Sequence, residues 1–345
     1  MGKTITIVFL LVVFVFVFGC INGENGQPPE ENETGNITNI TVIIEEEQNV
    51  SIGVNESDGE EIPEEEEEIW EGIEYSYEPN ATLGVYFLDT CDYGTGEHGA
   101  AIFIKKGDLD ILVDAGPAAS AGKVVDYLKL RNIDDIDVLI STCADYRRYG
   151  GLDDVLDEFE VEEFWWGGEK MQDPEYGRII DKATAKAKSV RVVERGYETE
   201  LNGIDIDALN PKMRDRFDDI NNDAIVLRVD DRNLTLLLMS NIQTGAQGDL
   251  VSEFPDEIKV EIIEAPYYGV GAGTAFIALF LQESMPKYVV IEGCSDETME
   301  VEGSTRLPFK RLMEQEQYEV DYFETYKQGT IRITVDEMGY SIGPG

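Results

Sequence analysis

The chain has 345 residues, enough for two ordinary domains or one large domain with appendages, and its 42% apolar content is enough for a sizeable core. Its 71 acidic and 27 basic residues give a net charge of −44, which repels phosphate backbones and anionic headgroups and argues against nucleic acid as a partner. A single histidine, His98, excludes any site that needs two imidazoles. The plain reading of the charge is solubility, as in a salty habitat.

Residues 1–20 contain Lys3, an apolar run from Ile5 to Phe18, and Gly19-Cys20. A run of fourteen is short for a membrane span and fits the core of a signal peptide. Val17-Phe18-Gly19-Cys20 resembles a lipobox, in which cleavage precedes a lipid-bearing cysteine, although the commonest pattern begins with Leu. The other reading is an uncleaved N-terminal anchor. Both expect the rest of the chain on the extracellular face of the cell membrane, tethered through lipid at Cys20 or through the anchor.

Residues 21–80 change character. Asn22 to Pro79 hold 19 acidic residues and no Lys or Arg. Self-repulsion and few apolar residues predict a disordered stalk. Sequons at Asn32, Asn36, Asn39, Asn49 and Asn55, with Asn80 and Asn233 further on, predict glycosylation of an exported chain. A polar tether without sugar is the alternative. The lipobox-like end and the dense sequons together point to an archaeal surface protein.

The folded domain is expected over 81–345. Gly84–Asp89, Ala100–Lys105 and Asp110–Asp114 read as strands, and Gly122–Leu130 as a helix with Val124, Val125 and Leu128 on one face. A strand at Ile136–Ile140 leads to helix Leu152–Phe159, strand Glu160–Trp166, helix Glu175–Lys188 and strand Val190–Val193. Ile204 and Ile206 alternate with acids as a half-buried strand. Ala224–Val229 and Leu234–Met239 flank a hairpin turn. Strand and helix then alternate through Val260–Ala265, Thr274–Gln282, Tyr288–Ile291, Leu307–Gln315 and Glu319–Phe323. Strands Thr330–Val335 and Gly339–Ile342 close the chain.

A polar loop between a core strand and a helix is where α/β proteins place their chemistry. Here that loop is Ile140 to Gly151, I-S-T-C-A-D-Y-R-R-Y-G-G. It resembles the T-H-x-H-x-D-H-x-G-G motif of the metallo-β-lactamase fold, whose His and Asp side chains hold one or two metals. Thr142, Gly150 and Gly151 keep the frame, while Cys143, Asp145, Arg147 and Arg148 stand at the ligand positions. Within the superfamily the chain is most similar to the soluble domain of ComEC-type DNA-uptake proteins. Phe87-Leu88-Asp89 and Ile111-Leu112-Val113-Asp114-Ala115-Gly116 match two landmarks of that group. Asn221 to Ala224 match a third, the bridging aspartate falls on Asn241, P-H-H-G on Pro266-Tyr267-Tyr268-Gly269, and the closing motif on Thr325 to Thr330. The resemblance spans about residues 84–335 and implies a four-layer αβ/βα sandwich, an α/β fold preceded by the stalk.

The chemistry that the resemblance implies is missing from these residues. Guanidinium cannot ligate a metal, Asn241 cannot bridge two cations as a carboxylate does, and Tyr268 titrates too high to be a ready ligand. The expectation is a domain with no zinc site and no cofactor, acting as a non-catalytic binding module. The alternative is a superfamily hydrolase with a rebuilt metal or Cys-based centre, in which His98 reaches Cys143. Arg147 and Arg148 either replace the metals' charge by pairing with Asp145 or Asp89, or bind an anion or sugar acid among Tyr146, Tyr149, Tyr267, Tyr268 and Trp166. The partner would be a small anion, a glycan or a protein. Cys91, Cys143 and Cys294 each follow a strand that the family aims at its active-site rim. One disulfide is expected, Cys143 with Cys91 or Cys294, against the rivals of unrelated buried thiols and a thiolate metal site.

Overall fold

The computed structural model describes residues 72–169, 173–217, 219–269, 278–294, 312–314 and 319–345. The signal segment with Cys20, the sequons from Asn32 to Asn55 and most of the helix expected at Leu307–Gln315 lie outside them. Among the described residues no helix is long and apolar enough to cross a membrane. The fold begins earlier than expected, because Ile73 and Tyr75, assigned by sequence to the stalk, pack against the core. Tyr75 Oη accepts a hydrogen bond from Asn202 N at 3.0 Å.

Strands β1 (Leu83–Phe87), β2 (Ile102–Lys106) and β3 (Leu109–Val113) form an antiparallel meander. Helix α1 (Ala121–Leu130) returns the chain to β4 (Ile136–Ser141), which pairs parallel to β3. After α2 (Tyr146–Tyr149) and α3 (Leu152–Glu158), β5 (Val161–Trp166) adds parallel to β4. Helix α4 (Pro174–Lys186) leads to β6 (Ser189–Val192), parallel to β5. A second sheet starts with antiparallel β7 (Glu198–Leu201), β8 (Ile204–Asn210), β9 (Val226–Asp231) and β10 (Leu234–Leu238). It continues through α5 (Thr244–Glu253), β11 (Ile262–Glu264), α6 (Ala278–Ser284), β12 (Tyr288–Ile291) and β13 (Asp321–Glu324), the last three strands parallel. After α7 (Thr325–Gln328), β14 (Ile331–Asp336) pairs antiparallel with β1, and β15 (Gly339–Pro344) with β14.

Alternation along the strands sorts the side chains into layers. Val85, Ile104, Ile111, Val138 and Ile140 of the first sheet meet Ile206, Leu227, Leu236 and Ile262 of the second in one core. The opposite faces carry Phe103, Leu112 and Leu139 under α1, α3 and α4, and Leu237, Ile263 and Val289 under α5 and α6. The result is the four-layer αβ/βα sandwich expected from the sequence, with sheets of eight and seven strands. Strands buried on both faces read as continuous apolar runs, which is why β3, β4 and β12 were legible.

The C-terminal ends of β1, β3, β4 and β5 share one edge of the first sheet, because β1 is parallel to β3 through two antiparallel pairings. The loops after β10, β11 and β12 gather likewise on the second sheet. These loop ends meet, for Ile225 N donates to Thr142 O at 2.8 Å. Gly-Gly in the loop motif serves close backbone approach. A Cβ on Gly151 would lie 2.2 Å from Ala115 O, and one on Gly99 2.1 Å from Arg147 O.

Candidate functional site: an arginine-centred charge network

Asp145 caps α2, its Oδ1 accepting from Arg147 N at 3.0 Å. That cap starts a single helical turn at which two consecutive arginines diverge. Arg148 points inward and is fully buried. Its Nε donates to Asn241 Oδ1 at 2.7 Å, Nη1 to Asp114 Oδ2 at 2.9 Å and Nη2 to Glu264 Oε1 at 2.8 Å. Arg147 turns toward the rim with a side chain 21% exposed. It grips Asp145 through two nitrogens, Nε at 3.0 Å and Nη2 at 2.7 Å. Asn241 Nδ2 donates to Asp145 Oδ2 at 2.7 Å, so one amide joins both ion pairs.

The carboxylates are anchored from behind. Asp114 accepts from Thr142 N at 2.8 Å and Thr142 Oγ1 at 2.7 Å, and Glu264 accepts from Ser240 N at 2.9 Å. Register aligns them: Val113 pairs with Ile140, so Asp114 leaves β3 beside Thr142. Asp114, Ser240, Tyr267 and Tyr268 all hold left-handed backbone, with φ of 58°, 49°, 48° and 58°. Non-glycine residues rarely adopt that region, and strain of this kind gathers at special sites.

Burial sets the ionisation pattern. It pushes Asp114 above the usual carboxylate range, against the charge of Arg148 and the Thr142 donors. Burial and then the charge of Glu264 push Glu292 well up, biasing it to the neutral acid. For Asp145 burial also raises, but Arg147's hydrogen bonds and charge outweigh it and hold the group below its ordinary value. Burial drives the Cys143 thiol far up, and its Sγ accepts from Ser240 Oγ at 3.8 Å, so no thiolate is at hand.

The structure brings together five of the six residues that the resemblance sets at ligand positions. Asp145, Arg147, Arg148 and Asn241 are joined as above, the Tyr268 ring lies 4.8 Å from Arg147 Cζ and 5.1 Å from Arg148 Cζ, and Cys143 touches the network only through Ser240. Tyr268 Oη is buried without a hydrogen-bond partner among the described residues, and burial keeps it a neutral phenol. His98 stacks edge-on against Tyr268 at 4.9 Å and lies 3.4 Å from Arg147 Nη1. Tyr267 contributes a ring 5.4 Å from Arg147 Cζ, and Tyr146 is half exposed beside them.

Other expectations need correction. Tyr149 is buried among the outer helices, donating to Asp173 Oδ2 at 2.7 Å, and Trp166 packs on that same helical layer. Among the described residues neither ring makes a hydrogen bond or a cation–ring contact with the arginines. Asp89 accepts from Tyr93 Oη at 2.8 Å and is not a partner of either arginine. The disulfide joins Cys91 to Cys294, with Cα atoms 4.8 Å apart, and Cys143 is free. Cys143 lies behind the network in the apolar core under α5, whereas the ends of β1 and β12 approach each other at the rim. Asn80 and Asn233 are both exposed.

Sequence reasoning missed Glu264 and Glu292. Each ends an apolar strand, and a lone acid there is itself a signal, since unpaired buried carboxylates are rare. Among the described residues no group of three or more His, Cys, Asp or Glu is arranged to hold a metal ion.

No family model matches the chain, and no curated protein does. Its neighbours among solved structures are metallo-β-lactamase fold proteins. The metallo-β-lactamase fold protein YhfI from Bacillus subtilis is 11% identical, with TM-score 0.48 over 72% of this chain and 99% of that one. Tm1679, a metal-dependent hydrolase of the β-lactamase superfamily, is 14% identical, with TM-score 0.46 over 72% and 98%. CmlA, a diiron β-hydroxylase from Streptomyces venezuelae, is 12% identical, with TM-score 0.46 over 75% of this chain and 54% of that one. At such identities no chemistry carries over, and what the site can do follows from its own side chains.

Proposed function

We propose that this chain is a surface protein whose metallo-β-lactamase-like domain has exchanged its metals for arginine and works by binding rather than catalysis. The observation that carries this is the seat of Arg148, one guanidinium spanning Asp114, Glu264 and Asn241 inside the protein. Guanidinium stays protonated and offers no lone pair. Its fixed charge between the two carboxylates repels a divalent ion from the same space. The remaining donors do not fit a metal either. Asn241 Oδ1 already accepts from Arg148, Tyr268 is a neutral phenol and Cys143 a protonated thiol. This reading therefore includes no zinc and no other cofactor.

The ComEC-type likeness belongs to the same proposal, supported by colinear motifs whose chemical positions converge on one network. A small anion is disfavoured at Arg147 and Arg148, because both are already committed to carboxylates. A Cys-based hydrolase is disfavoured by the buried thiol. The apolar leader ending at Cys20 and the sequon-rich stalk support export, tethering by lipid or anchor, glycosylation and display on the outer face of the membrane. The test is metal analysis of the purified full chain beside hydrolysis assays. Expected are no stoichiometric zinc, iron or manganese and no turnover of phosphodiester, lactam or thioester substrates. Dialysis-resistant metal accompanied by hydrolysis would overturn the proposal.

A further inference from the structure

A cavity of about 580 Å³ opens on the same strand edge, next to the arginine network. Asp219 and Asp223 line it, and Asn221 between them reaches Asn241 Nδ2 at 3.3 Å. Its volume lies in the range of small-molecule sites. Two of its lining groups are incomplete. Glu169 is only 9% exposed, and among the described residues its buried carboxylate oxygens have no hydrogen-bond partner besides the nearby Tyr176 phenol. That phenol shares a hydrogen bond with Ser141 Oγ at 3.2 Å in which either oxygen can donate, so it can turn its one proton to one Glu169 oxygen and leaves the other open. Arg216 directs Nε to Lys212 O at 3.1 Å and Nη2 to Gly167 O at 2.6 Å and Glu194 Oε1 at 2.8 Å, leaving Nη1 buried and without a partner among the described residues. Both groups border one turn. A Cβ on Gly167 would lie 3.0 Å from Glu169 Oε2, and a Cβ on Gly168 3.8 Å from Arg216 Nη2.

Buried polar groups in native proteins are nearly always satisfied, so an acceptor and a donor left open beside each other ask for a ligand with both complements. We propose that this cavity binds a free α-amino acid, its ammonium on the Glu169 carboxylate and its carboxylate on Arg216 Nη1. Among the described residues of the lining, five carboxylates against two guanidinium groups favour a ligand with a cationic end over a simple anion. Burial pushes the Glu169 carboxyl above its ordinary range, a cost that a bound ammonium relieves. Met213 and Ile220, both exposed, line the cavity and leave room for a side chain and a way in from solvent. This deepens the binding role proposed above and rests on it.

The test is calorimetric titration of the full chain with each standard α-amino acid. Controls are the carboxylic acid lacking the ammonium, glucose and inorganic phosphate. At least one amino acid should bind saturably, with affinity about tenfold or more weaker for its des-amino analogue and for Glu169→Gln, and weakened for Arg216→Lys. Absence of saturable binding by any amino acid overturns the assignment. So does binding that survives unchanged in a folded Glu169→Gln protein, or preference for glucose or phosphate. If Glu169→Gln does not fold, Arg216→Lys and the des-amino analogue decide. A metal-free protein that binds no amino acid sinks this inference alone, whereas a metal-bearing, hydrolytic one sinks the binding-module reading.

Discussion

Two neighbouring regions of one strand edge bury a guanidinium with a carboxylate, and they treat them differently. Around Arg148 each of three nitrogens has its own partner, and two of those partners, Asp114 and Glu264, are held by Thr142 and Ser240. Around Arg216, among the described residues, one nitrogen has none, and the Glu169 carboxylate has at most the single proton of Tyr176. The first region behaves as a closed structural element, because breaking any contact strands a buried charge. The second is an incomplete one whose missing partners must come from outside. Opposite responses to mutation should follow.

The largest effect is expected at Arg148. Arg148→Met leaves Asp114 and Glu264 without their counter-charge and should destabilise the domain by about 3–5 kcal/mol, read by denaturant unfolding. Adding Asp114→Asn and Glu264→Gln should restore part of that loss. If Arg148→Met melts like the parent, the network does not hold the centre and the comparison fails.

Arg147→Ala should cost less, about 1–3 kcal/mol, because Asp145 keeps Asn241 and the helix N–H as donors. Its pH dependence sharpens the point. A carboxyl held below its unfolded value of 3.8 contributes stability that is present above about pH 4 and lost as pH falls through the folded pKa. The difference between parent and Arg147→Ala should therefore be full at neutral pH and shrink only in strong acid.

Glu169→Gln should go the other way, stabilising the ligand-free domain by about 1 kcal/mol at neutral pH. Glu169 lies above its unfolded value of 4.5, so its contribution is greatest below that pH and fades as pH rises through the folded pKa. Parent and variant should melt alike near pH 4 and diverge toward neutrality. A destabilised variant would mean that Glu169 has a partner inside the fold.

How much of this was legible depends on how local the signal was. Runs such as Ile136–Ile140 and Tyr288–Ile291 declared buried strands by composition alone. Helix α5 did not, since Gly245 and Gly248 interrupt a segment with little apolar periodicity, and β7 is a mostly exposed Glu-Thr-Glu-Leu edge. The six residues that the resemblance sets at ligand positions were found because short motifs marked them, four in the Ile140–Gly151 loop and Asn241 and Tyr268 in two later ones. Glu264 and Glu292 lie over a hundred positions from the Cys143–Arg148 loop on other strands, and only sheet order brings them in. Tyr149 and Trp166 were misassigned because an aromatic residue at a strand or helix end reads the same whether it faces the rim or the outer helices. The Cys91–Cys294 pairing likewise depends on which strand ends approach at the rim, which sequence spacing does not encode.

The central claim is that arginine occupies the space a metal would need. Anomalous diffraction from crystals grown with excess zinc tests it directly. The account predicts Arg148 on Asp114, Glu264 and Asn241, with no anomalous peak among them. A zinc peak between Asp114 and Glu264, with Arg148 displaced, would contradict it.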